Sequence, residues 1–121
     1  MSTVAVIVVA VFFLAMGLYA LVAPAALIRP FRLVADSPES RSEIRAVYGG
    51  FGVAVAGALA VAEFHGGDLR RGVTLTVALA LTGMAVGRVV SRLVDRPTAF
   101  HPVWFYCCVE VVAGGTLFLV T

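Results

Sequence analysis

The chain contains no lysine, asparagine or glutamine, and only 13% of its 121 residues are charged. All nine basic residues are therefore arginine, and a formal charge of +2 is too small to imply a nucleic-acid partner. The same scarcity of polar side chains argues against a soluble domain. Hydrophobic residues make up 61% of the chain, against about 45–50% in an average globular protein, and the mean hydropathy is +1.03. Too little polar surface remains to build a wetted exterior. Lysine, asparagine and glutamine have comparatively AT-rich codons, and their absence predicts a GC-rich bacterial source.

Other absences narrow the chemistry. The two cysteines, Cys107 and Cys108, are adjacent, with no CxxC spacing and no second pair, so they read as reduced packing thiols. His65 and His101 are expected on opposite sides of the membrane, which leaves no shared metal site. Gly50-Phe51-Gly52 lacks the third glycine and the preceding strand of a dinucleotide fingerprint, and no cofactor motif is present.

What fills the chain is four apolar runs, at residues 4–28, 46–62, 72–93 and 103–120. A helix of roughly 20 residues crosses a hydrocarbon core of about 30 Å. The expectation is an all-α integral membrane protein, a bundle of four antiparallel transmembrane helices forming a single domain over residues 1–121. The first run has no basic residue before Arg29 and is too long for a signal-peptide core, so it reads as a retained span. Arg29, Arg32, Arg41, Arg45, Arg88, Arg92 and Arg96 fall on one side, against Arg70 and Arg71 on the other. The positive-inside rule then predicts a bacterial inner membrane location with both termini outside the cytoplasm.

Local signals mark the helix ends. Pro24 predicts a kink or interfacial turn at the end of the first span, and Ser37-Pro38 a capped opening of the second, where Ser40 and Glu43 also have capping-box spacing. Gly66 and Gly67 suit a reversal, with Asp68 able to cap the third helix. Asp95-Arg96-Pro97 closes that helix, Pro102 suits the first turn of the fourth, and Trp104, Phe105 and Tyr106 fit an interfacial anchor. Gly83 and Gly87 form a GxxxG pair; Gly50, Ala54 and Ala58 line one face of the second helix, and Gly114-Gly115 offers a further close contact. These surfaces could also join two protomers, so a homodimer through Gly83 and Gly87 is one expected partner arrangement.

The chemical interest lies in ionisable residues carried into the spans. Glu110 is seven residues beyond Val103, roughly 10 Å along a helix, with Tyr106 and Gly114 on its face. A charge near a span's centre costs about 2.5–3.5 kcal/mol on insertion scales, so Glu110 needs a proton, a hydrogen bond or a cation. Arg88, inside the third span near the same end, is the best candidate partner. Arg41, Arg45, Tyr48 and Gly52 follow a 4-3-4 spacing that forms a cationic and phenolic stripe on the second helix. Glu43 lies on another face, able to cap its own helix or to pair with Arg88.

The order Glu43-x-Arg45-x-x-Tyr48-Gly49-Gly50, then Gly87-Arg88, then Glu110 resembles a bacterial membrane family, domain of unknown function 4345. The resemblance spans most of the chain. It implies a compact four-helix membrane domain and singles out Glu43, Arg45, Tyr48, Arg88 and Glu110 as ligand-binding candidates, without supplying a reaction. The first expectation for function is binding of a small lipophilic or lipid-like ligand, whose anionic head group the arginines could meet. The alternatives are a membrane isomerase or cyclase using Glu110 as acid/base with Tyr48 as proton donor, and a small transporter or accessory subunit of a membrane complex.

Overall fold

The computed structural model describes residues 2–121, which are helical almost throughout. Helix α1 covers Ser2–Val22 and α2 is the short Pro24–Ile28. The second span, α3, runs over Pro38–His65, α4 over Gly67–Val94 and α5 over Phe100–Val120. In lipid every backbone N–H and C=O must be paired within the segment, which is what continuous helices achieve. The four long helices are each sufficiently long and apolar to cross a membrane, and the chain is a multi-pass membrane protein. Their threonines fit that solvent too. Thr74, Thr76, Thr82, Thr116 and Thr121 each donate their hydroxyl to the carbonyl four residues back, leaving no orphaned donor.

Each expected terminus has a local cause. Pro24 cannot continue the hydrogen bonding of α1, and Ala23 leaves helical geometry at φ −134°, ψ 66°. The chain then turns through Arg29–Phe31 and reverses at Arg32, whose φ of 60° is left-handed. Ser37 caps α3 and Pro38 occupies its first position, as expected, but the capping box partner is Ser40 and not Glu43. The Ser37 hydroxyl accepts from Ser40 N at 3.1 Å, and Ser40 Oγ accepts from Ser37 N at 3.2 Å. A serine at the third position reaches the cap as a glutamate would, so no pair one turn later is needed. Gly66 and Gly67 both have positive φ and form the tight α3–α4 reversal. Asp68 does not cap α4: Gly66 holds the cap position, and Asp68 sits inside the first turn, favourable to the helix dipole.

Within α3, Arg45–Gly50 is wound as a π-helical turn between α-helical Pro38–Ile44 and Phe51–His65. Helix α5 likewise begins irregularly over Phe100–Trp104, where His101 leaves helical geometry, before becoming regular over Phe105–Val120.

The bundle is built from two antiparallel pairs, α1 with α3 and α4 with α5, joined along the α3–α4 and α1–α5 seams. Burial of apolar area does not drive association in lipid, so close packing must. At the α1–α3 crossing it is glycine that allows it: a Cβ on Gly17 would lie 2.8 Å from both Gly49 O and Val53 N, and one on Gly52 would lie 3.1 Å from Phe13 O. Gly114 allows α5 the same approach to Ala78 O and Thr82 on α4. The expected stripe on Gly50 is not the contact, and Gly83 and Gly87 face open space with nothing within 4 Å. The central core collects Val6, Val9 and Phe13 with Leu59, Leu81 and Leu117, while Ala20, Ile28 and Ile44 form a smaller cluster beneath α2. Val4, Val8 and Val11 point outward, as lipid contact requires.

Candidate functional site

Glu110 is the one buried carboxylate whose partner the spans alone suggested, and the pairing is found. Arg88 Nε donates to Glu110 Oε1 at 2.8 Å and Nη2 donates to Oε2 at 3.0 Å, a bidentate contact between α4 and α5. The Glu110 side chain is 6% exposed and that of Arg88 23%. Antiparallel packing places the two at the same height, and the planar guanidinium matches the carboxylate fork, so the two charges neutralise each other out of water.

Above this pair sit two aromatic rings. The Arg88 guanidinium carbon is 5.7 Å from the centre of Phe31 and 6.0 Å from that of Tyr106, and the two rings lie 5.5 Å apart. Cation–π attraction of this kind is strongest where water is excluded. Phe31 comes from the turn after α2, which packs on the first turn of α5; the proline break thus folds an aromatic residue back over the polar pair. Tyr106 is one turn before Glu110 on the same face. Its expected role as an interfacial anchor with Trp104 and Phe105 gives way to a place in the site.

A cavity of about 160 Å³ opens beside these groups. Arg88, Glu110, Tyr48, Tyr106 and Phe31 contribute to its wall, and Phe12, Phe13, Met16, Leu81 and Met84 are among the apolar residues that complete it. Two larger grooves adjoin it. One, of about 520 Å³, shares Phe13, Leu81 and Met84 with it; the other, of about 480 Å³, lies chiefly along α1 and α5 and shares Phe12, Phe13, Leu81 and Val109.

Three of the five candidate residues therefore converge and two do not. Arg45 is exposed, and its Nε donates to Leu21 O at 3.0 Å, satisfying a carbonyl at the end of α1. Glu43 is exposed, makes no side-chain hydrogen bond or ion pair among the described residues, and lines no part of the cavity. The 4-3-4 spacing that put Arg41, Arg45 and Tyr48 on one stripe assumes α-helical geometry, and the π-helical turn breaks that phase. Cys107 is buried beside Ala85 O, Cys108 is exposed, and both are free thiols.

A second ion pair went unseen in the sequence. Arg70 Nε lies 2.6 Å from Glu63 Oε2, and its Nη1 donates to Val120 O at 2.7 Å, tying α3, α4 and α5 together at the opposite end of the bundle. The Glu63 side chain is 4% exposed. Both residues fall between the apolar runs at 46–62 and 72–93, yet Ala56, Leu59 and Glu63 follow a 3-4 spacing on the buried face of α3, which was the available signal.

The geometry can be set beside known families. The sequence profile of the Domain of unknown function (DUF4345) family matches residues 1–121. The chain belongs to this family. No curated protein and no solved structure matches it. Membership in DUF4345 agrees with the resemblance carried by Glu43, Arg45, Tyr48, Arg88 and Glu110, and assigns none of them a task.

Proposed function

We propose that this DUF4345 protein is a small membrane binding protein that takes a lipophilic small molecule into the cavity beside Arg88 and Glu110. One observation carries the reading: residues from four helices and the post-α2 turn bring a neutralised ion pair, two phenols and an aromatic wall onto a single cavity inside a membrane bundle. Concave, mostly apolar sites with a few convergent polar groups are the usual form of small-molecule sites. The volume suits a compact group, with adjoining grooves available to an aliphatic remainder. On the arginine distribution, the cavity belongs to the cytoplasmic half of an inner membrane, with both termini outside. Catalysis by Glu110 ranks below binding, because each of its oxygens already accepts from Arg88, and taking a proton from a substrate would weaken the two-pronged contact that holds its charge inside the bundle.

The test is photolabelling of the purified protein in nanodiscs with a diazirine-bearing alkyl ketone. Saturable labelling of peptides containing Phe31 or Tyr106, lost on Met84→Trp with helicity retained, supports the reading. Unsaturable labelling spread along the lipid-facing belt removes it.

A further inference from the structure

We infer that the cavity selects an uncharged lipophile bearing a hydrogen-bond-accepting oxygen, a ketone or ester carbonyl being the type, and rejects an anionic head group. The inference rests on the binding reading above and deepens it. Its basis is what the site has left to offer. The positive charge of Arg88 is spent on Glu110, in a two-pronged contact that uses Nε and Nη2. Arg45, the other guanidinium expected here, is turned to Leu21 O and does not line the cavity. The lining therefore carries no net charge: one cation, one anion and otherwise neutral side chains.

The unspent groups are donors. Arg88 Nη1, the Tyr48 hydroxyl and the Tyr106 hydroxyl have no hydrogen-bond partner among the described residues, and all three side chains line the cavity. Arginine has no acceptor atoms, and a phenol is a good donor. A carbonyl oxygen can take up such donors without bringing charge. An anion would have to shed its water, approach the Glu110 carboxylate and compete with it for Arg88, with no further cation to offset the cost. A cation would face the exposed donors and the guanidinium itself. Arg29 and Arg32 stand near the same end but are exposed, where solvent and salt screen their pull on a buried head group.

Competition against the saturable photolabel decides the matter, with three probes of equal chain: 2-dodecanone, dodecanesulfonate and dodecyltrimethylammonium. In the wild type the ketone should compete at least about tenfold better than either ion, a difference of about 1.4 kcal/mol. Glu110→Gln keeps the shape and an acceptor for Arg88 but leaves its charge uncompensated, so the sulfonate should overtake the ketone. Tyr48→Phe and Tyr106→Phe alter no charge and should weaken the ketone severalfold without reversing the order; they stand in if the Gln variant fails to fold. Saturable labelling in which the sulfonate matches or beats the ketone in the wild type overturns the inference and leaves a binding site of other selectivity. Absence of saturable labelling removes the binding reading itself.

Discussion

At the residue scale, Arg88 and Glu110 owe their position to each other. Replacing Arg88 with methionine should cost about 3 kcal/mol in a detergent unfolding titration, because the carboxylate is left buried without a counter-charge, and pairing it with Glu110→Leu should recover most of the loss. If the single change is harmless, Glu110 is not dependent on that guanidinium and the site loses its centre. This pair was legible because a carboxylate and a guanidinium each stood deep in an apolar run, and adjacent antiparallel helices could bring them level. Its aromatic cover was only half legible. Tyr106 shares a helical face with Glu110, whereas Phe31 is 57 residues before Arg88 in a broken connection, and no periodicity relates the two. Glu43 and Arg45 stood out by residue type in a motif, but the direction of a side chain beside a π-helical turn is not contained in α-helical spacing.

At the element scale, the glycines divide into those that touch a neighbour and those that do not. Gly17→Ala should destabilise the bundle by about 1–3 kcal/mol, since its methyl group would meet the Gly49 carbonyl and the Val53 amide, and backbone has little room to yield. Gly83→Ala and Gly87→Ala meet nothing and should be neutral or slightly stabilising in the same unfolding assay, through helix propensity alone. Should either instead weaken self-association measured by energy transfer between labelled protomers, the GxxxG face is where two copies meet. Sequence spacing identified Gly83 and Gly87 because motif recognition asks only about one helix. The Gly17–Gly49–Gly52 contact depends on the crossing point of two, set by the proline break, the cap at Ser37 and the length of the connection between them.

At the scale of the whole molecule, the two ion pairs occupy opposite ends with the apolar core between them. Orientation is open to direct measurement. With Cys107 and Cys108 replaced by serine, Asp68→Cys should react with a membrane-impermeant maleimide in intact cells, and Thr98→Cys only after permeabilisation; the opposite pattern inverts the topology derived from the arginines. The four spans were legible in outline because hydropathy is a property of each segment alone, while the order of packing around the bundle came from contacts no single segment encodes. The wide turn at Arg45–Gly50 has a consequence of its own. An α-helix advances by about 100° per residue, and a π turn holds one residue more than its α counterpart. That surplus residue is taken up inside the turn itself, so deleting Gly50 would restore even winding while Ile44 keeps its place against Ala20 and Ile28. The protein should therefore tolerate a one-residue loss there that it would not tolerate in the evenly wound Phe51–His65 stretch, where nothing absorbs the difference and every residue beyond the gap would turn out of phase with its neighbours.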